Sequence, residues 1–79
     1  MGAISAANAW FEFHAKDKKF QRKRGKIIFV VEKLTIDTSY LQHYNFVNVY
    51  VRLRDPRNGK TISVSEAELT YDWVEVTDE

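Results

Sequence analysis

The stretch from Phe46 to Val76, FVNVYVRLRDPRNGKTISVSEAELTYDWVEV, constrains the fold more than any other part of the chain. Val47, Val49, Val51 and Leu53 alternate with Phe46, Asn48, Tyr50, Arg52 and Arg54, the pattern of a pleated strand with one core face. In the next segment, Asp55-Pro56-Arg57-Asn58-Gly59-Lys60, the fixed φ of proline suits the first corner of a type I turn. Asn-Gly supplies the left-handed backbone of a hairpin with a glycine bulge. Ile62 and Val64 alternate with Thr61, Ser63 and Ser65, which predicts a short, one-sided return strand. Ser65-Glu66-Ala67-Glu68 fits the capping box, with room for about one helical turn before Thr70. Leu69 can drop from that turn into the core, and Tyr71 to Val76 alternates again as a closing strand.

Upstream the signals are less local. Ser5 can cap an Ala-rich helix, because neither Gly nor Pro occurs between Ala3 and Arg24 and Gly25 stands where such a helix would end. Trp10 to Ala15 can equally form a strand, with Phe11, Phe13 and Ala15 on one side. The sequence predicts a short helical start followed by a strand over residues 10–15. Lys16 to Arg24 then becomes a basic loop or short helix anchored by Phe20. Lys26 to Leu34 contains the run Ile27-Ile28-Phe29-Val30-Val31, read as a central strand covered on both faces. Thr35 to Asn45 is polar and aperiodic and reads as a loop with a single turn near Ser39.

The DPRNGK turn, the SEAEL turn and the YDWVEV strand, in that order, resemble the Src-homology-3-like small barrel and its Tudor and KOW relatives over Lys26 to Val76. The resemblance implies a mainly β fold, a five-stranded barrel with one helical turn before the last strand and a short N-terminal helix. It is a superfold likeness and names no family. The acidic specificity loop and paired aromatics of peptide-binding members are not evident, so proline-rich peptide binding is not implied. An α+β sheet with an N-terminal helix across one face is the alternative. Residues 1–79 are read as one domain, with a basic extension over 1–25, the barrel core over 26–76 and an acidic tail over 77–79.

With 79 residues, the chain buries only roughly 60–65% of its unfolded surface, so its core is thin. Hydrophobic residues at 44% place it among globular rather than disordered chains. The absence of cysteine excludes a disulfide framework and thiolate chemistry and points to a reducing, cytoplasmic setting. No apolar run approaches the roughly 20 residues of a membrane span, and Met1 to Ser5 has no basic leader. Ala6 stands where the myristoylation pattern wants a hydroxyl.

No nucleophile with its base, paired carboxylates, metal-ligand spacing or phosphate-cradling glycine loop stands out. His14 and His43 lie far apart in the chain, without cysteine or an acidic cluster beside them. The chain is therefore expected to be non-catalytic, without cofactor or metal.

Charge carries the functional signal. Lys16, Lys18, Lys19, Arg22, Lys23, Arg24 and Lys26 stand against Asp17 alone, whereas Thr61 to Glu79 holds six acids and no cation. Such a cluster attracts polyanions, and Lys18, Lys19, Arg22, Lys23, Arg24 and Lys26 are the candidate contacts to a nucleic-acid backbone. Tyr44, Tyr50, Arg52 and Arg54 would add an aromatic and arginine face of the kind single strands stack on. The bland alternatives are a solvated basic loop that offsets the acidic half, and a second core layer built from the rings. The competing class is a protein-interaction adaptor or inhibitor, of the sort phages and mobile elements carry, docking through Glu66, Glu68, Tyr71, Asp72 and Trp73. Complementary poles also favour a homodimer.

Overall fold

The computed structural model describes residues 2–44 and 46–77; Met1, Asn45 and the acidic tail residues Asp78 and Glu79 lie outside them. The elements run α1 (Gly2–His14), β1 (Lys19–Arg22), β2 (Phe29–Asp37), β3 (Asn48–Arg54), β4 (Thr61–Ser65), α2 (Glu66–Asp72) and β5 (Trp73–Val76). All strand pairs are antiparallel, in one sheet of order β4-β3-β2-β1-β5. The sheet is open, with β4 and β5 as its edges.

The hairpin forms as its residues dictate. Along β3 the buried residues are Val49, Val51 and Leu53, and the residues between them are half-exposed. Its turn carries bonds from the Asn58 and Gly59 amides to the Asp55 carbonyl at 3.3 and 2.8 Å, with Gly59 alone in it at positive φ (+77°). Leu53 pairs with Ile62 and Val51 with Val64, so both strands present one core face. Ser65 caps α2 by accepting from the Glu68 amide at 3.1 Å. The helix runs seven residues rather than one turn, so Tyr71 and Asp72 are helical and the closing strand starts at Trp73.

The N-terminal expectation of a strand over residues 10–15 is overturned. Ala3, Ala7, Trp10 and Phe11 are the covered residues of α1, a 3.6-residue period, while Phe13 is 75% exposed. The alternating reading failed because Phe11 and Phe13 are not on the same buried face. α1 ends well before Gly25, with the Ala15 and Lys16 amides both donating to the Phe11 carbonyl and Asp17 at φ 61°.

Lys19 to Arg22 is a strand, not the expected loop or short helix. It is held between β2 and β5 with Phe20 6% exposed. Ile27 and Ile28 precede β2 and are each 39% exposed, so the central strand begins at Phe29 and is not covered on both faces. It continues through Thr35, Ile36 and Asp37, which were expected in a loop, and its register shifts between Val31 and Lys33. Such a bulge bends a strand, and here β2 pairs with β1 at Phe29 and Val30 and with β3 over most of its length.

The core consists of Ala15, Phe20, Val51, Leu53, Val64, Leu69 and Trp73, with Trp10, Phe11, Phe29, Val31 and Ile62 packed against it. Both helices thus close over one face of the sheet.

Candidate nucleic-acid interface

Antiparallel register decides which connections share an end of the sheet. Phe20 faces Phe29, Val30 faces Arg54, Arg54 faces Thr61 and Arg22 faces Trp73. The connection over residues 23–28, the hairpin turn at 55–60 and the junction of α2 with β5 therefore lie together. Residues 38–44 and 46–47 lie at the opposite end.

At the first end β1 runs straight into a tight turn. The Gly25 amide donates to the Arg22 carbonyl at 3.0 Å and Gln21 Nε2 donates to the Gly25 carbonyl at 3.4 Å. A Cβ at Gly25 would stand 3.1 Å from that of Arg22, which explains a glycine there. Lys23 and Arg24 project from this turn into solvent, and Lys26 is exposed just beyond. The Lys23 amide also donates to the Asp72 carbonyl at 2.9 Å, tying the turn to the end of α2. An open cleft of about 440 Å³ results, lined by Arg22, Lys23, Arg24, Tyr71 and Asp72. The Tyr71 side of it is bare, the residue being 69% exposed.

Cations at this end differ in their commitments. The Arg22 guanidinium lies over the Trp73 ring. Arg57 is held by Asp55, whose Oδ1 accepts from the Arg57 amide and Nε and whose Oδ2 accepts from Nη2 at 2.9 Å. Those bonds hold the Asp55 carboxyl below the usual carboxylate range. Arg54 lies 3.8 Å from Glu32. Among the described residues Lys23, Arg24 and Lys26 form no side-chain ion pair.

The remaining candidates are scattered. Lys18 pairs with Glu75 at 3.4 Å, and Lys19 opens β1, roughly 10 Å of strand away from Arg22. Tyr44 lies at the opposite end, in an exposed group with Tyr40 and Phe46 whose rings stack at 5.4 Å and 14°. Tyr50, Arg52 and Arg54 share the outer face of β3, where Lys33 stands directly across from Arg52. Like charges placed opposite one another on a sheet repel, and among the described residues neither has a side-chain ion pair.

The acidic aromatic surface does not assemble as expected. Trp73 is 2% exposed and belongs to the core, so it cannot dock a partner. Glu66 and Glu68 lie in the first turn of α2, whereas Tyr71 and Asp72 end it beside the cations. Tyr71 thus joins the basic turn, an association the sequence reading missed because it depends on β1 pairing with β5. Lys33 was missed as well, since only the bulge in β2 puts it on the face of Arg52.

No group of His, Cys, Asp and Glu able to hold a metal ion occurs among the described residues, and none of their helices is long and apolar enough to cross a membrane. Comparison with known proteins gives no match to a family model, a curated sequence or a solved structure.

Proposed function

We propose that this chain is a non-catalytic, cytoplasmic module that binds nucleic acid at the cationic end of its sheet. The observation that carries the reading is the turn after β1. Its backbone is closed on Arg22 and Asp72, and its tip holds Lys23 and Arg24 in solvent, without a side-chain ion pair among the described residues. Cations kept close together without ion pairs repel one another, and a polyanion relieves that repulsion and releases its counterions. Lys26 extends the patch, while Lys33, Arg52 and Arg54 with Tyr50 form a second basic surface on the outer face of the sheet. The strand order, with α2 leading into β5, supports a Src-homology-3-like succession of elements as the architecture, in a sheet that is open.

The test is fluorescence-anisotropy binding of labelled single- and double-stranded DNA and RNA, for wild type and for a variant carrying Lys23→Glu, Arg24→Glu and Lys26→Glu. Arg22 is left in place because it covers Trp73. With about five phosphates contacted, affinity falls a few hundred-fold between roughly 50 and 200 mM salt. The triple variant is expected to lose both the affinity and most of the salt slope. No binding at the lowest salt, or a variant that binds like wild type, refutes the reading.

A further inference from the structure

Taking the nucleic-acid reading of the cleft beside Tyr71 as its basis, we propose that the strand bound there is single, with Tyr71 as the platform on which one unpaired base stacks. Lys23 and Arg24 hold the phosphates on either side of that base.

Three observations converge on this. Tyr71 is 69% exposed at the end of α2, far more than packing of its ring would allow. Among the described residues its ring contacts no other aromatic ring, unlike Tyr40, Tyr44, Phe46, Phe29 and Trp73. It lines the same cleft as Arg22, Lys23 and Arg24, and the bond from the Lys23 amide to the Asp72 carbonyl fixes the two segments side by side. The cleft, about 440 Å³, is within the range of small-ligand pockets and so has room for one base.

The chemistry selects against a duplex. Stacked, paired bases have both faces covered, so a tyrosine ring finds no partner on them, whereas every unpaired base offers a π-face. Asp72 lines the same cleft beside Lys23, and its carboxylate can accept from an exocyclic amine on the base edge.

The experiment compares wild type, Tyr71→Ala and Tyr71→Phe against a labelled DNA single strand and the duplex of the same sequence, by anisotropy over a salt series. Since Tyr71 is exposed, the variants keep the fold, which far-ultraviolet circular dichroism checks. Wild type is expected to prefer the single strand. Tyr71→Ala loses about tenfold or more of single-strand affinity, while its salt slope and its duplex affinity stay as in wild type. Tyr71→Phe retains most of the single-strand affinity. Equal wild-type affinity for both forms, or a Tyr71→Ala variant that binds the single strand like wild type, overturns the proposal while leaving the cationic site standing. Absence of any binding by wild type overturns both.

Discussion

The Arg22 guanidinium sits 4.8 Å from the centroid of the Trp73 ring, the two residues being paired across β1 and β5. Phe29 meets the same ring edge-on at 5.4 Å and 78°. One member of the basic stretch is therefore part of the cover of the core. Arg22→Ala is expected to lower stability by about 1–2 kcal/mol, through the lost cation–π contact and the lost packing of its stem. Denaturant unfolding measures it, with Lys23→Ala as the control that stays within about 0.5 kcal/mol of wild type.

Trp73 itself anchors the sheet edge, and its buried Nε1 has no hydrogen-bond partner among the described residues. Trp73→Ala should cost about 3–5 kcal/mol, a large share of the stability of a small domain. Trp73→Phe is expected to cost less than half as much, because it also deletes an indole N–H that is desolvated without a bond in return. Equal losses in the two variants, by denaturant midpoint, would contradict this.

Gly59 is at φ +77° and a Cβ there would meet nothing within 4 Å. The cost of Gly59→Ala is then purely one of backbone conformation, about 1 kcal/mol, and Gly59→Asn should lose less because asparagine tolerates the left-handed region. Thermal unfolding of the two variants against wild type orders them.

Asp55 ties acid sensitivity to the hairpin turn. The Arg57 side chain, then the Arg57 amide, lower its pKa in the folded state, while an unfolded aspartate titrates near about 3.9. On acidification the unfolded chain takes up this proton first. The contribution to stability is thus complete above the unfolded value and is lost as pH falls through the folded one. Asp37 behaves in the same sense through Ser39, so Asp55→Asn isolates the turn. The difference in denaturant midpoint between wild type and this variant should shrink below about pH 4. A difference independent of pH would count against the Asp55–Arg57 pair.

How much could be read in advance follows the range of each determinant. The hairpin from Asn48 to Ser65 was legible because alternation, Pro56, Gly59 and the Ser65 cap act within a few residues of themselves. Trp10 to Ala15 misled because a dense aromatic run satisfies a strand and a helix alike, and only the sheet beneath α1 selects the face holding Ala7, Trp10 and Phe11. β1 was hidden because a four-residue cationic segment with a single apolar anchor, Phe20, has no strand signal of its own. It becomes a strand by completing the hydrogen bonds of β2 and β5.

The same division holds for the candidate site. The charge at Lys23, Arg24 and Lys26 is a property of composition, readable without any fold, and so is the exclusion of thiolate chemistry by a chain without cysteine. Whether a ring is a platform or a core residue is not, because burial depends on which surfaces meet. Tyr71 and Trp73 are two residues apart, yet the first ends α2 in solvent and the second starts β5 within the core. The sequence alone thus determined the hairpin, the cap and the position of the cations, all set by local sterics and charge. Tertiary structure decided which rings stand beside those cations, since pairing between β1 and β5 joins segments from opposite ends of the chain.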